Sequence, residues 1–322
     1  MSPKPLAILA DIGGTNTRVA LADGKLVRQD SIAKYPNADF PSLEPILTGY
    51  LAERGIVKTD GVCVAAAGPV EDGVARMTNL DWVIDTDMLR RATGAARVSI
   101  LNDLQAQGHA LGHIAPEFLR PIIETPAKPG GSMLVVGLGT GVNAAPVHQA
   151  PGGRIVPPSE CGHISMPIRD ARDLRLAQFV ESHGDHAHGF AGVEDVQAGR
   201  GLEHLYAFIT DEAGTPETRS SSQIMVAIAA GEEHALATAR LYTKILGSNL
   251  GNLALIHLPF GGIFLIGGMA RAMTPYLAEM GLAAAMQDKG RFAEFLTAFP
   301  VWVVEDDFAA LTGCAAHLDS LG

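Results

Sequence analysis

The residues best placed for chemistry stand around a glycine turn near the start of the chain. The turn consists of Gly13, Gly14, Thr15 and Asn16. An apolar run that ends at Asp11 precedes it, and a second apolar run follows it. Glycine backbone can turn successive N–H groups toward an anion, and the Thr and Asn side chains add donors. Asp11 is placed to hold Mg²⁺ through water, although an ordinary glycine hairpin with a solvated Asp has the same pattern.

A second candidate lies where the apolar run 98–101 is followed by a helix that begins with Asn102 and Asp103. The helix dipole and the free N–H groups of a first helical turn keep a carboxylate ionised. An ionised Asp beside a sugar hydroxyl can orient that hydroxyl and accept its proton during phosphoryl transfer. An Asn/Asp helix cap fits the same pattern.

Further polar groups follow in two glycine-containing stretches. Glu160 and His163 stand three residues apart, and Glu194 lies in the second stretch. Carboxylates, amides and imidazoles can bracket adjacent hydroxyls of a sugar, although each alone is equally typical of a loop cap or a solvated charge. The expected polyol site, if the fold brings its members together, consists of Asn102, Asp103, Glu160, His163 and Glu194.

The opening pattern recurs near the middle of the chain. Residues 132–147 repeat the order of strand, glycine–threonine turn and strand, with Gly139, Thr140 and Gly141 at the turn. Such a duplication indicates two similar halves that face each other across a cleft, each with a phosphate-binding hairpin. Only the first half has a metal-side carboxylate, because Gly137 stands where Asp11 stood. The glycine spacing also fits a dinucleotide fingerprint, but that motif needs a helix where Pro146 indicates a strand.

The elements that must position these residues alternate along the chain. Strands are expected at 6–11, 17–22 and 26–32, a helix from Pro41 to about Arg54, and alternating strands and helices thereafter. This order predicts an α/β protein with mixed sheets covered by helices. A C-terminal helix is expected to pack back on the first domain. We therefore expect a small domain of residues 1–110 completed by 303–322, and a large domain of residues 111–302.

Length and composition exclude several classes of protein. The chain has 322 residues, of which 47% are hydrophobic and 18% charged, with a formal net charge of −11. The length allows two domains with ordinary cores. The acidic balance argues against nucleic acid and acidic membranes as partners. No apolar stretch reaches the roughly 18 residues of a membrane span, and no signal peptide is evident, so we expect a cytoplasmic protein.

Together these motifs resemble the bacterial ATP-dependent glucokinase family. The motifs that carry the resemblance are, in chain order, 11–16, 101–103, 137–141, 160–163, Glu194, 261–268 and 288–292. Each glycine motif is weak alone, but their order and spacing over nearly the whole chain are highly specific. The resemblance implies a two-domain actin-like ATPase (ribonuclease H-like) fold with an interdomain cleft. It also implies ATP and Mg²⁺ as cofactors, glucose as the substrate, a homodimer and a role in glycolysis.

The resemblance also assigns roles to individual residues. It implies that Asp103 is the catalytic base on the sugar 6-hydroxyl, and that Asn102, Glu160, His163 and Glu194 are its companions in the sugar site. It implies that Asp11 serves Mg²⁺ through water. The implied nucleotide site consists of Asp11, Gly13, Gly14, Thr15, Asn16, Gly139, Thr140, Gly141, Gly267 and Gly268, the last two at the adenosine.

Three features separate this chain from related patterns. The segment after Gly162–His163 contains no cysteine cluster, which places the resemblance in the zinc-free branch of the superfamily. Asn143 and Cys161 each stand where that branch usually has glycine. We expect the Asn143 side chain to occupy space near the phosphates, so that Asn143→Gly lowers the KM for ATP by a few fold and leaves that for glucose unchanged.

Other functions remain compatible with the sequence. A kinase for another hexose, or a non-catalytic sugar sensor on the same fold, would use much of the same site. An actin-like ATPase with a protein client would hydrolyse ATP without sugar and would need no polyol cluster. The presence of Asp11 and Asp103 favours an enzyme.

Overall fold

The computed structural model describes residues 5–77, 80–151, 153–183 and 189–321. The chain forms two compact units. Unit 1 comprises Met1–Pro116, Val147–Pro158 and Asp306–Gly322, and unit 2 comprises Glu117–Pro146 and Ser159–Glu305. None of the helices in the described ranges is both long enough and apolar enough to cross a membrane.

The regular elements alternate as an α/β protein requires. The strands are β1 (Leu6–Ile12), β2 (Asn16–Asp23), β3 (Leu26–Val27), β4 (Ala33–Pro36), β5 (Gly61–Ala66), β6 (Val70–Glu71), β7 (Val74–Arg76), β8 (Val83–Asp85), β9 (Arg97–Asn102), β10 (Leu119–Ile123), β11 (Met133–Leu138), β12 (Val142–Ala150), β13 (Gly153–Ile155), β14 (Gly262–Ile266) and β15 (Val301–Val304). The helices are α1 (Leu43–Glu53), α2 (Thr86–Thr93), α3 (Asp103–Ala110), α4 (Ala171–Ser182), α5 (Glu194–Gln197), α6 (Gly199–Glu212), α7 (Ser221–Ala230), α8 (Glu233–His257), α9 (Gly268–Leu277), α10 (Leu282–Gln287), α11 (Ala293–Leu296) and α12 (Ala309–Ser320).

The main sheet of unit 1 has the strand order β3-β2-β1-β5-β9, with β4 also paired to β2. Strands β1, β5 and β9 are parallel, whereas β2 is antiparallel to β1. Side chains alternate between the two faces of a strand. Ile8 and Ala10 accordingly pack in a core with helix α1, and Ala7 and Leu9 pack on the opposite face with helix α12. The predicted mixed sheet is thereby confirmed.

The third predicted strand is wrong beyond Val27. Residues Gln29–Ser31 form a 3₁₀ turn instead. The buried Ser31 hydroxyl accepts the Leu21 N–H (2.9 Å) and donates to the Arg28 carbonyl (2.6 Å). These side-chain bonds replace the strand pairing that the sequence pattern predicts.

The second large sheet has the order β10-β15-β14-β11-β12-β13. Strands β11, β14 and β15 are parallel. The run β12-β11-β14-β15 therefore has the same order as β2-β1-β5-β9 in the first sheet, which confirms the predicted duplication. Alternate residues of β11, Leu134 and Val136, pack in the core of unit 2 with Tyr242 of the long helix α8.

Helix α3, which begins with Asp103, is packed closely against helix α12. At Gly313 of α12, a Cβ atom would lie 1.7 Å from the Ala106 carbonyl oxygen. Only glycine allows the two backbones to approach this closely. The contact fixes α3, and with it the residue at its start, to the C-terminal helix.

Candidate active site

In unit 1, the predicted residues meet at the carboxyl edge of the parallel strands. Ile12 pairs with Ala66, and Ala66 pairs with Asn102. The residues that follow these strand ends therefore share one edge, where ligands of α/β sheets commonly bind. Asp11, the first glycine turn, Asn102 and Asp103 are brought together there.

Asn102 is the N-cap of helix α3. Its Oδ1 accepts the Leu104 N–H (2.9 Å), and the Gln105 side chain completes a capping box. Its Nδ2 donates to the Gly68 carbonyl (3.0 Å). The helix-cap interpretation is therefore confirmed for Asn102, and the cap also fixes the start of the helix relative to the end of β5.

Asp103 follows this cap as the first residue of α3. Its Oδ1 accepts the Leu104 N–H at 2.8 Å. Asp103 retains solvent-accessible surface, but surrounding protein limits hydration of the carboxyl group. This loss of hydration, with a smaller contribution from the negative charge of Asp11, raises the pKa of Asp103 to about 6. A carboxylate with such a pKa can both accept and release a proton near neutral pH.

Asp11 forms an ion pair that sequence reasoning missed. The Arg18 Nη1 lies 3.1 Å from Asp11 Oδ2, because the two residues are register partners on β1 and β2. Burial raises the pKa of Asp11, and the Arg18 guanidinium partly opposes this effect. The pairing had a sequence signal: Asp11 and Arg18 are placed symmetrically about the centre of the glycine turn.

The first glycine turn is stabilised by one hydrogen bond within the turn and by two from Asn37. The Gly13 N–H donates to the Asn16 carbonyl (3.0 Å), which closes the turn. The buried Asn37, also missed by sequence reasoning, donates its Nδ2 to the Gly13 carbonyl (2.8 Å), and its own N–H donates to the Thr15 carbonyl (2.9 Å). Thr15 itself is exposed at the tip of the turn.

The expectation that an unusual backbone angle explains the first hairpin is wrong for Gly13, and Gly139 and Gly141 of the second hairpin behave in the same way. None of the three lies in the left-handed region of backbone space. Glycine instead provides room: a Cβ at Gly139 would meet no atom within 4 Å, whereas one at Gly141 would lie 2.7 Å from Glu194 Oε2. The second hairpin thus has open space at one glycine and a tight contact with a predicted sugar residue at the other.

In unit 2, the second hairpin and the predicted adenosine glycines are also brought together. The Gly139 N–H donates to the Gly141 carbonyl (3.0 Å). Gly267 caps helix α9 with a φ of +98°, and a Cβ there would lie 2.4 Å from the Leu138 carbonyl oxygen. A Cβ at Gly268 would meet no atom within 4 Å. The positive end of α9 therefore lies beside the second hairpin, an arrangement suited to an anion.

Glu194 is attached to the same hairpin. Its Oε2 accepts the Val142 N–H (2.9 Å), and its Oε1 accepts a hydrogen bond from Arg200 Nη2. Arg200 was not identified from the sequence, because an interruption between helices α5 and α6 separates it from Glu194 and leaves no helical spacing to reveal the pair.

The glycine between Glu160 and His163 packs tightly against the start of β12 and Glu194. A Cβ at Gly162 would lie 2.0 Å from the Val142 carbonyl oxygen and 3.4 Å from Glu194 Oε2. The His163 N–H donates to the Glu160 carbonyl (3.1 Å), so both residues belong to one 3₁₀ turn. Both side chains are exposed. The turn that carries Glu160 and His163 and the residue Glu194 thus both contact the start of β12.

The Asn143 side chain is bonded to the segment that carries Glu160. Its amide forms hydrogen bonds with Ser159 and Cys161, the residues that flank Glu160. The strand geometry of β12 directs the side chain toward that segment. The two positions at which the motifs depart from glycine, Asn143 and Cys161, are therefore in direct contact.

The donor set around Asp11 fits a weakly chelated Mg²⁺ ion. Across the described part of the chain, no group of three or more His, Cys, Asp or Glu side chains is arranged to hold a metal. Mg²⁺ commonly binds through one or two carboxylates, several waters and substrate phosphates. A single partly buried carboxylate beside a glycine hairpin is compatible with that mode.

The chain is similar to known proteins over nearly its whole length. The family model described as Glucokinase matches residues 8–321. The glucokinase of Caulobacter vibrioides (strain NA1000 / CB15N) is 32% identical over 320 residues, covering 98% of this chain and 96% of that protein. The glucokinase of Chelativorans sp. (strain BNC1) is 33% identical over 313 residues, with coverages of 96% and 90%. The crystal structure of glucokinase from an Antarctic psychrotroph superimposes with a TM-score of 0.88 at 30% identity and covers 98% of both chains.

Proposed function

Because the chain belongs to the glucokinase family, we propose that it transfers the terminal phosphoryl group of ATP to the 6-hydroxyl of glucose. The products are glucose 6-phosphate and ADP. The observation that carries this proposal within the site is Asp103, a carboxylate with a pKa of about 6 at the edge that also holds Asp11 and a glycine turn. The fold is that of an actin-like ATPase with mixed sheets.

In the proposed reaction, Asp103 orients the 6-hydroxyl and accepts its proton as the bond to phosphorus forms. Most of the remaining work is positioning and charge stabilisation, as is general for phosphoryl transfer. We assign binding of the other sugar hydroxyls to Asn102, Glu160, His163 and Glu194. Asn102 combines this role with its cap on α3.

The nucleotide is assigned to the glycine elements. Gly13, Gly14, Thr15 and Asn16 would contact the terminal phosphates in unit 1, and Gly139, Thr140 and Gly141 would contact phosphates in unit 2. Gly267 and Gly268 would contact the adenosine, with the start of helix α9 as a source of N–H donors. Mg²⁺ bound to Asp11 through water would offset part of the phosphate charge.

Several broader properties belong to the same proposal. We propose that unit 1 and unit 2 act as the small and large domains of the kinase. We also propose that the protein is a cytoplasmic homodimer whose product enters glycolysis. Sedimentation equilibrium tests the dimer directly, because it should give twice the chain mass of 33.8 kDa.

A coupled assay of ADP release over a panel of hexoses tests the activity. We expect release that depends on both ATP and glucose, with mannose, fructose and amino sugars as the comparison. Sugar-independent ATP hydrolysis would support the actin-like ATPase alternative. Glucose binding without ADP release would support the sugar sensor, and preference for another hexose would revise the substrate.

A further inference from the structure

The Asn143 side chain is bonded to the residues on both sides of Glu160. Its Nδ2 donates to the Ser159 carbonyl, and its Oδ1 accepts the Cys161 N–H (3.2 Å). The Ser159 hydroxyl lies 2.9 Å from the same Oδ1. One amide therefore fixes the backbone immediately before and immediately after a proposed sugar carboxylate.

The segment that carries Glu160 is held by side-chain contacts and has no regular secondary structure of its own. Besides the bonds to Asn143, the Ser159 hydroxyl donates to the Ala144 carbonyl, and Gln105 Nε2 donates to the Val156 carbonyl (2.9 Å). Residues 156–160 form neither helix nor strand, and Glu160 has an irregular backbone conformation with φ −127° and ψ 43°. Asn143, in contrast, is anchored in strand β12, where its Oδ1 also accepts the Ala144 N–H at 2.8 Å. Hydrogen bonds from a strand to an irregular segment transfer the rigidity of the sheet to that segment. Asn143 thus contributes directly to the position of Glu160, because its bonds lie on both sides of that residue.

Val142, the residue before Asn143, binds Glu194, the second proposed sugar carboxylate of unit 2. Val142 donates its N–H to Glu194 Oε2 at 2.9 Å. Both residues directly follow the glycine hairpin 139–141. The proposed phosphate hairpin is therefore connected to both carboxylates. The Val142 N–H connects it to Glu194, and the Asn143 side chain connects it to the segment that carries Glu160.

We propose that Asn143 is a positioning residue that sets Glu160 for hexose binding and links it to the phosphate hairpin. The inference rests on the proposed function, because it concerns the sugar end of that site. It reverses the expectation from the sequence: loss of the Asn143 amide affects glucose rather than ATP. The Asn143 side chain supports the segment that carries Glu160, and the glycines of the hairpin remain the proposed contacts of the nucleotide.

The test compares Asn143→Ala with the unmodified chain. We expect the KM and the calorimetric Kd for glucose to rise about tenfold, the size of effect typical for the loss of one or two partly buried hydrogen bonds, while the KM for ATP stays within about twofold. Discrimination between glucose and epimeric hexoses should also weaken. A lower KM for ATP with unchanged glucose binding would overturn the proposal, and so would unchanged constants for both substrates.

Two further variants separate positioning from folding. Ser159→Ala removes the hydroxyl contacts with Asn143 Oδ1 and with the Ala144 carbonyl but keeps both bonds between Asn143 and the backbone, so we expect a smaller rise in the glucose Kd. Asn252→Ala is the matched control, because Asn252 Oδ1 accepts Lys289 Nζ (2.7 Å) in helix α8 and has no proposed role in binding. If Asn143→Ala and Asn252→Ala lower the melting temperature alike and neither changes the glucose Kd, Asn143 is only structural.

Calorimetry without nucleotide also separates this inference from the kinase proposal. If the unmodified chain releases no ADP but Asn143→Ala binds glucose more weakly, the kinase proposal is wrong and the positioning role stands. If the unmodified chain is a fully active kinase and Asn143→Ala binds glucose normally, the kinase proposal stands and the positioning role is wrong.

Discussion

At the scale of single residues, the candidate carboxylates differ in what holds them. Asp11 and Glu194 are each paired with an arginine, Arg18 and Arg200 respectively. Asp103 instead accepts a backbone N–H, and its pKa is raised to about 6. Limited hydration raises the pKa of both Asp11 and Asp103, but at Asp11 the Arg18 guanidinium opposes the effect. Asp103 is therefore the carboxylate whose surroundings suit proton transfer.

Replacing Asp103 by Asn should lower kcat by about 10²–10⁴-fold, the usual effect of losing a positioned acid or base. The KM for ATP should change little. The raised pKa means that ionising Asp103 costs folding stability as pH rises from the unfolded value through about 6, so Asp103→Asn should melt no lower than the unmodified chain at pH 7.5. Steady-state kinetics and thermal melting together check this, and near-normal kcat would remove Asp103 from the mechanism.

The pH profile offers an independent check on the same residue. Asp103 must be ionised to accept a proton, so kcat/KM for glucose should fall as pH decreases through about 6 and level off above it. The glucose Kd should be measured over the same range as a control for changes in binding. A flat kcat/KM between pH 5 and 7 would contradict the assignment.

At the scale of elements, the position of Asp103 depends on the packing of helix α3. The Asn102 capping box fixes the start of the helix, and the close approach at Gly313 of α12 fixes its side. Gly108 of α3 makes a second tight contact, because a Cβ there would lie 2.7 Å from Val156 Cγ1. The C-terminal helix therefore contributes to the site although none of its residues is assigned to a substrate.

Gly313→Ala should displace α3, because the added Cβ would lie 1.7 Å from the Ala106 carbonyl oxygen. A shift of about 1 Å at the reacting group commonly costs up to 10²-fold in rate, so we expect lower kcat together with a lower melting temperature. Gly49→Ala in helix α1 is the matched control, since a Cβ there would meet no atom within 4 Å. It should stabilise the chain by about 0.5–1 kcal/mol without changing kcat. Equal kinetics in the two variants would contradict the packing argument.

At the scale of the whole molecule, the proposed sugar residues are divided between the units. Asn102 and Asp103 belong to unit 1, and Glu160, His163 and Glu194 belong to unit 2. The matching strand orders of the two large sheets explain how each unit comes to carry one glycine hairpin at an equivalent position. If one hexose binds all five proposed residues, its binding should be detectable in both units.

Saturating glucose should slow amide hydrogen exchange in both units at once. We expect protection at the start of α3, including the Leu104 N–H, and at the start of β12, including the Val142 N–H, because a ligand stabilises the folded segments that it contacts. Exchange followed by mass spectrometry, with a sugar that does not bind as the control, checks this. Protection confined to one unit would contradict the assignment of all five residues to one hexose.

The sequence by itself determined the features that local chemistry and chain order set. The glycine turns and the start of α3 at Asn102–Asp103 could be predicted because each leaves a pattern within a short stretch of chain. The duplication and the fold class could be predicted because they follow from the order of such stretches. The strand predicted at 26–32 failed beyond Val27 because a buried hydroxyl, Ser31, supplied bonds that no local pattern indicates.

Only the tertiary structure decided which groups hold one another. The bond between Val142 and Glu194 joins residues 52 positions apart, and the direction of the Asn143 side chain depends on a segment that begins 16 positions later. The pKa of Asp103 likewise depends on the protein that surrounds its carboxyl group. Hydrogen bonds and hydration depend on distance in space, and the sequence specifies that distance only through the folded chain.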